Sequence, residues 1–264
     1  MSAEIALEKF QESLYTKRFG RRVFFSREVN STSEWAKNLA KMGAGEGTVA
    51  VAETQTAGRG RLGREWASPR GGLWFSIVLR PKLEASEAAK LVFVASLAVA
   101  EALHEKYGLR TETKWPNDVL VQGKKICGVL AEMNTKGETI NYVVLGIGVN
   151  ANFANDALPE FVKTNATSIE KEFGKKIRLE SLLKALLEKM ETIYDRYLEA
   201  GFSPLLEQWK TYAGFLGRKV VITDQEERLN GLALDVDLDG ALILKLEDGT
   251  RRRIRVGDLV FPKL

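Results

Sequence analysis

The chain changes periodicity once, near Ala213-Gly214, and that change restricts the fold more than any other feature. Before it, from Leu179 to Leu198, apolar residues fall at 179, 182, 183, 186, 187, 190, 193, 194, 197 and 198. This is the spacing of one buried face of an α-helix. After it, from Lys219 to Leu264, apolar and polar residues alternate: Leu232, Leu234, Val236, Leu238, then Leu242, Leu244, Leu246, then Ile254 and Val256. Successive side chains of a strand point to opposite faces, so period two marks strands with one buried side. Asp239-Gly240 and Asp248-Gly249 are placed as tight hairpin turns between them. A helix-bearing domain over 1–213 followed by a small all-β barrel over 214–264 is therefore expected.

The first part mixes both periods. A short helix is expected over 4–18 within an N-terminal extension (1–20), then a strand from Arg22 to Val29. Ser31-Thr32-Ser33-Glu34 opens a helix running to about Met42, because a hydroxyl followed three residues later by Glu is a helix-start signal. Strands are expected from Thr48 to Glu53 and from Leu73 to Leu79. Ser86 to Tyr107 predicts one long helix, ended by Gly108 and apolar around most of its surface, hence well buried. Strands follow at about 110–115, 125–134 and 140–149, the last two joined at Thr135-Lys136-Gly137. A shorter helix is expected over 203–213.

Composition removes several classes of chemistry. The chain has 264 residues, 45% hydrophobic and 28% charged, the balance of a soluble globular protein. It has one cysteine, Cys127, and one histidine, His104. No internal disulfide or cysteine zinc cluster can form. A Ser–His or Cys–His nucleophile would need His104, which lies inside a predicted helix and reads as helix surface. That steers the search toward chemistry done by Arg, Lys and Asp. The net charge of +4 demands no nucleic acid. Met1 to Gly20 is charged and lacks a secretory pattern, and the longest apolar stretch, Leu91 to Ala100, is too short to span a bilayer. No membrane association and a cytoplasmic location are expected.

Four motifs carry chemistry. The first is Gln55-Thr56-Ala57-Gly58-Arg59-Gly60-Arg61-Leu62-Gly63-Arg64-Glu65-Trp66. Its glycines let backbone approach a ligand closely, and its arginines can grip carboxylate or phosphate through paired N–H groups. By composition it fits an anion clamp or a basic nucleic-acid loop equally. Its flanks, a β-rich run and then Trp66, Ser68-Pro69 and a strand, build it into a folded core and favour the clamp. The second motif is Lys114-Trp115-Pro116-Asn117-Asp118, where Pro116 permits only a strand end and Asn117-Asp118 reads as a turn. The third, Lys124-Lys125-Ile126-Cys127-Gly128-Val129-Leu130-Ala131-Glu132, is a strand entered by a basic pair. The fourth, Gly146-Ile147-Gly148-Val149-Asn150, closes a buried strand and departs from a GxGxxG nucleotide fingerprint at its third glycine.

In this order, Ser31-Thr32, GRGRLGREW, KWPNDV, GKKICGVLAE, GIGVNAN and a terminal β barrel, the chain resembles the bacterial and archaeal biotin–protein ligases over residues 22–264. The resemblance implies an α+β fold: a mixed, mostly antiparallel sheet with flanking helices, like class II aminoacyl-tRNA synthetases, plus an SH3-like barrel. It implies activation of biotin by ATP to biotinyl-5′-AMP, then transfer to a lysine of a biotin carboxyl carrier domain of acetyl-CoA carboxylase or a related carboxylase. Such chemistry needs no enzyme nucleophile, only positioning and charge stabilisation.

By the same resemblance Ser31, Thr32 and Gln55 meet the ureido ring of biotin. Gly58, Arg59, Gly60 and Arg61 fold over biotin and phosphate, with Arg59 at the α-phosphate and carboxylate. Trp66 packs against the adenylate. Asn117 and Asp118 serve the nucleotide and acceptor side, where Asp118 orients or deprotonates the incoming lysine. Lys125 is the catalytic lysine, and Lys124 exchanges roles with it if the register shifts by one. Gly128 offers backbone to the ligand and Asn150 faces adenine. Mg²⁺ accompanies ATP, with no protein residue assigned to a metal. A homodimer is implied. Ser33 departs from the Asn of many relatives, and Cys127 from a small residue such as Ala. With the first strand beginning so early, no autonomous DNA-binding domain is expected.

Two other readings stay in view. Lipoate ligases and lipoyl or octanoyl transferases share the expected architecture but lack the GRGRLGREW loop. A non-catalytic nucleic-acid binder would use that loop and Arg251-Arg252-Arg253, though arginines in a barrel strand more often line a solvated face.

Overall fold

The computed structural model describes residues 7–136, 139–153, 158–223 and 227–262. Its centre is a seven-stranded sheet built from β1 (Val23–Val29), β2 (Val49–Gln55), β3 (Leu73–Leu79), β4 (Thr111–Lys114), β5 (Asp118–Val121), β6 (Lys124–Lys136) and β7 (Thr139–Val149). The spatial order is β1-β2-β3-β7-β6-β5-β4. β1 and β2 pair in parallel, and the other neighbours are antiparallel. A parallel pair needs a crossover. Here it is α2 (Thr32–Lys41).

Alternation along β3 places the helices. Phe75 and Ile77 join the main core with α4 (Leu91–Tyr107) and α7 (Leu179–Ala200). Val78, one step on, packs with Ala36 and Ala40 of α2 and with Val144. The sheet thus has α2 on one face and α4 on the other, with α7 packed against α4. α4 is apolar on nearly every side because it lies between the sheet and α7. Gly108 ends it in the left-handed conformation, at φ 66°.

The helix expected over Ser86 to Tyr107 is two helices. α3 (Ala85–Ala89) meets α4 at Lys90, whose ψ of −7° breaks the run while its ammonium sits 4.9 Å from the Phe202 ring. The second difference is β5, whose first residue, Asp118, belongs by its sequence to a turn. Four residues suffice because β5 is paired on both sides, by β4 and β6. The N-terminal helix is short: α1 covers Leu7–Ser13, and the next residues form an irregular strap. Backbone N–H groups outside regular structure need partners. Glu191 of α7 supplies them, accepting from the amides of Lys17, Arg18 and Phe19 at 2.6, 2.6 and 3.0 Å. Residues 4–6, and Gly137 of the β6–β7 turn, lie outside the described residues; Lys136 pairs with Thr139 across that turn.

After α8 (Phe202–Thr211) come β8 (Lys219–Thr223), β9 (Arg228–Val236), β10 (Leu242–Leu246), β11 (Arg251–Ile254) and β12 (Asp258–Val260). They form an antiparallel sheet in the order β11-β10-β9-β8-β12, with Asp239-Gly240 and Asp248-Gly249 at its hairpin turns. Its buried residues Ala233, Val236, Leu242, Leu244 and Leu259 belong to the same apolar cluster as α4 and α8. Trp115 Nε1 donates to Gly240 O at 2.9 Å, tying the KWPND turn to this second sheet. No described helix is long and apolar enough to cross a membrane.

Candidate active site

All four motifs converge on one cleft at the ends of β2, β5, β6 and β7, beside α2 and β12. Its cavity of about 520 Å³ continues past Trp66, Lys114 and Lys125 into a second, more apolar chamber of about 840 Å³. The second chamber lies between the segment around Leu158 and Val162 and the residues Val221, Val260 and Phe261 of the C-terminal sheet.

The head of the first cavity is neutral and polar. Ser31, Thr32 and Ser33, at the start of α2, are all buried there. Ser31 occupies the N-cap position, but its hydroxyl makes no capping bond. The local capping signal therefore located the helix start without supplying the bond. Gln55 of β2 takes over: its Oε1 accepts from Thr32 N at 2.7 Å and from Thr32 Oγ1 at 3.1 Å. Its Nε2 donates to Ser68 Oγ at 2.7 Å. Glu34, expected to complete the cap, turns outward to Lys37 and Arg59.

The Gly–Arg segment is a zipped hairpin. Trp66 N donates to Gly58 O at 2.9 Å and Gly60 N to Arg64 O at 2.7 Å. Leu62, at the tip, takes the left-handed conformation with φ 55°. Each arginine has a carboxylate partner. Arg59 pairs with Glu34 at 2.7 Å and stands about half exposed. Arg64 pairs with Asp258 of β12. Arg61 lies 3.7 Å from Asp258, donates to Gly257 O at 3.2 Å and reaches Asn117 Oδ1 at 3.4 Å. Burial pulls the Arg61 guanidinium below its ordinary value, although Asp258 and Asp118 oppose the shift.

The centre of the site is Lys125. Its ammonium lies 2.7 Å from Asp118 Oδ1 and 4.9 Å from the centre of the Trp66 ring. Lys114 is 3.4 Å from Asp118 Oδ2. Burial alone would push the Asp118 carboxyl up, but Lys125 and Lys114 hold it below the usual carboxylate range. Lys124, one residue earlier, pairs with Val121 at the strand start and lines neither chamber.

Trp66 lies against a pair of glycines. Gly128 and Gly148 face each other across β6 and β7. A Cβ on Gly128 would meet Trp66 Cζ3 at 2.9 Å, and one on Gly148 would meet Nε1 at 2.5 Å. The motif glycines thus make a floor for an aromatic ring. Trp66 Nε1 is buried and has no hydrogen-bond partner among the described residues. Asn117 locks the floor from beneath, donating Nδ2 to Val129 O at 2.6 Å. Asn150 donates Nδ2 to Thr167 O at 3.0 Å while its residue lines the second chamber.

The structure therefore gathers every site residue named from the sequence at or around this cleft. It also brings in residues that the motifs did not mark. Lys114 stood inside a quoted motif without a role. Asp258 and Ser76 carry no local signal, since their relation to the site is purely spatial. Elsewhere, His104 is exposed on α4 and binds Leu109 O. Cys127 is fully buried and its thiol is pushed up by desolvation, which makes it an inert packing group. Among the described residues, no three His, Cys, Asp or Glu side chains cluster to hold a metal ion.

A polar head, a cationic waist and a larger apolar chamber in series suit an enzyme that holds an organic acid end-on to a nucleotide phosphate. Comparison with known proteins narrows that class. The Biotin/lipoate A/B protein ligase family matches residues 25–150, and the biotin protein ligase C terminal domain matches 215–261. The bifunctional ligase/repressor BirA of Bacillus subtilis is 35% identical over 240 residues, covering 90% of this chain and 74% of that protein. A biotin--[acetyl-CoA-carboxylase] ligase of Paracoccus denitrificans is 37% identical over 223 residues, covering 82% and 91%. The biotin protein ligase of Aquifex aeolicus, solved in complex with biotin and ATP, superposes with a TM-score of 0.78 at 30% identity, covering 91% of this chain and 98% of that one. The chain belongs to the biotin protein ligase family.

Proposed function

We propose that this chain is an ATP-dependent biotin–protein ligase acting on a biotin carboxyl carrier domain of acetyl-CoA carboxylase or a related carboxylase. The biotin carboxylate attacks the α-phosphorus of ATP and pyrophosphate leaves, giving biotinyl-5′-AMP. An acceptor lysine then attacks the mixed anhydride, forming the amide and releasing AMP. The observation that carries this reading is the serial arrangement of the cleft. The neutral head at Ser31, Thr32 and Gln55 accepts the ureido ring. Lys125 stands at the junction of the two chambers, where carboxylate and α-phosphate must meet. The second chamber, with Asn150 in its wall, accommodates the adenosine.

Lys125 neutralises charge that develops on the phosphate oxygens, and Arg59 swings from Glu34 to join it. Arg61, with the backbone of Gly58, Gly60 and Gly128, lines the path of the adenylate, and Trp66 stacks beside it. Asn117 braces Arg61 and the floor. Asp118, held ionised by two lysines, orients Lys125 and the acceptor amine; a carboxylate of such low basicity is a poor proton acceptor. Mg²⁺ travels with the ATP phosphates as part of the substrate.

The division into a catalytic unit (1–213) and a C-terminal β unit (214–264), a homodimer and a cytoplasmic location complete the reading. The start of the C-terminal family match at residue 215 supports the division. Incubation with ATP, biotin and a carrier domain tests the activity: biotin-dependent pyrophosphate release and a biotinylated lysine are expected. Pyrophosphate release that ignores biotin overturns the proposal.

A further inference from the structure

Ser76 is a polar residue in an otherwise apolar strand, Leu73–Leu79, and is wholly shut off from solvent. Its neighbours on the same sheet face are Trp74 and Val78, both fully buried. Burying a hydroxyl is costly unless it is hydrogen-bonded. The partners of Ser76 Oγ are two other hydroxyls, Thr32 Oγ1 at 2.9 Å and Ser33 Oγ at 3.2 Å. Both belong to residues that line the head of the cleft, which Ser76 itself does not reach.

The direction of each bond follows from fixed donors nearby. Thr32 N can only donate, so the Gln55 atom 2.7 Å away is the carbonyl oxygen. Gln55 Oε1 can only accept, so the 3.1 Å contact takes the single proton of Thr32 Oγ1. The other end of the Gln55 amide agrees, since Nε2 donates to Ser68 Oγ and Ser68 Oγ donates to Trp66 O at 3.0 Å. With its proton committed, Thr32 Oγ1 must accept from Ser76. With the Ser76 proton committed, Ser76 must accept from Ser33. The chain of protons runs Ser33 to Ser76 to Thr32 to Gln55.

We propose that Ser76 is a positioning residue that completes this polarity: Gln55 already takes the proton of Thr32, and Ser76 takes that of Ser33, so that both hydroxyls turn lone pairs rather than protons toward the substrate's head group. The site then favours a ring carrying N–H donors and disfavours one of the same shape that offers only acceptors. This rests on the biotin-ligase reading and adds how the ring is told from its isosteres. Gly146 belongs to the same arrangement, because a Cβ there would lie 2.5 Å from Ser33 Oγ and push that hydroxyl out of line.

The test uses full-length protein, wild type and Ser76→Ala, with two ligands: biotin, and an analogue whose ring N–H groups are replaced by oxygen. Binding without ATP is measured by calorimetry, and pyrophosphate release gives the kinetic constants. Ser76→Ala is expected to weaken biotin binding about tenfold. The analogue's affinity should stay within about twofold, as should kcat at saturating biotin and the KM for ATP. Ser76→Cys, a weaker donor of similar shape, should fall between. Unchanged biotin affinity in Ser76→Ala overturns the proposal. An equal loss for biotin and the analogue also overturns it, because that marks general distortion of the pocket. A wild-type protein that binds no biotin overturns both this inference and the ligase reading, whereas a wild type with normal activity beside an indifferent Ser76→Ala overturns this inference alone.

Discussion

The two ends of the cleft are organised in opposite ways. At the head, Thr32, Ser33, Gln55, Ser68 and Ser76 bond to one another through neutral groups and are mostly buried. Along the rim, Arg59, Arg61 and Arg64 are charged, more exposed, and paired with Glu34 and Asp258. The head is set before substrate arrives. The rim holds its cations on internal carboxylates that an anionic ligand must displace. Exposed ion pairs contribute little, about 0–1 kcal/mol each, so exchanging a carboxylate partner for a phosphate is inexpensive. A buried hydroxyl chain is harder to rearrange. The contrast suggests that selectivity resides at the head and mobility at the rim.

Between head and rim stands Lys125, and its removal should do the greatest damage. Lys125→Ala should lower adenylate formation by about 10²–10³-fold, the scale for losing one charge-stabilising donor. Lys124→Ala, alongside it in a biotin-dependent pyrophosphate assay, should remain near wild type; the reverse order would move the waist to the wrong residue. Gly148→Ala comes next. The added methyl must displace Trp66, and a small misplacement of positioned groups costs up to about 100-fold. Steady-state kinetics with tryptophan fluorescence would detect both effects, and unchanged emission would mean that the ring does not rest on that floor.

At the rim the effects should be milder. Arg59→Gly should speed loss of biotinyl-AMP by about tenfold, with leakage of activated biotin to stray amines, on the scale of a charge-assisted hydrogen bond. Trapping with a free amine measures it, and equal leakage would make the rim as static as the head. Asp258→Asn should raise the KM for ATP by only about two- to fivefold, as expected for a partly exposed ion pair. A larger rise would show that β12 does more than hold Arg61 and Arg64.

The Asp118 carboxyl gives the comparison a pH dependence. Its folded-state value is depressed below the unfolded one, so its contribution to stability is complete above the unfolded value of about 4. That contribution is lost as pH falls through the folded value. Chemical denaturation between roughly pH 3 and 5 should show a loss that Asp118→Asn reduces. An identical slope in the variant would remove Asp118 from the account.

Sequence reading followed the same division. Periodicity located β3, α2 and α7 because each has one face buried against a regular neighbour. It missed the break at Lys90, a residue that carries no local breaker signal and whose ammonium meets the Phe202 ring only once the chain is folded. It also missed β5, since a four-residue strand after Pro116 is stabilised by its partners rather than by its own pattern. The Gly–Arg loop, Asp118 and Lys125 stood in compact motifs whose composition suggested their chemistry. Ser76 and Asp258 did not. A serine in a strand and an aspartate near a turn are ordinary in sequence, and gain meaning only from the hydroxyls or guanidinium groups that folding brings to them.

The clasp between Glu191 and the strap has a consequence for tolerated change. One carboxylate holds the amides of Lys17, Arg18 and Phe19, so these bonds ask for peptide hydrogens and are indifferent to side-chain identity. Any residue except proline can donate such a hydrogen. On the strap, the vocabulary allowed by these bonds is therefore nineteen letters wide at each position, narrowed only by other contacts such as the burial of Phe19. On α7 it is close to one letter, because Asp would be a methylene too short and Gln would offer a single acceptor oxygen where Glu offers two. A substitution library across both segments should record that asymmetry as tolerance on one side and intolerance on the other.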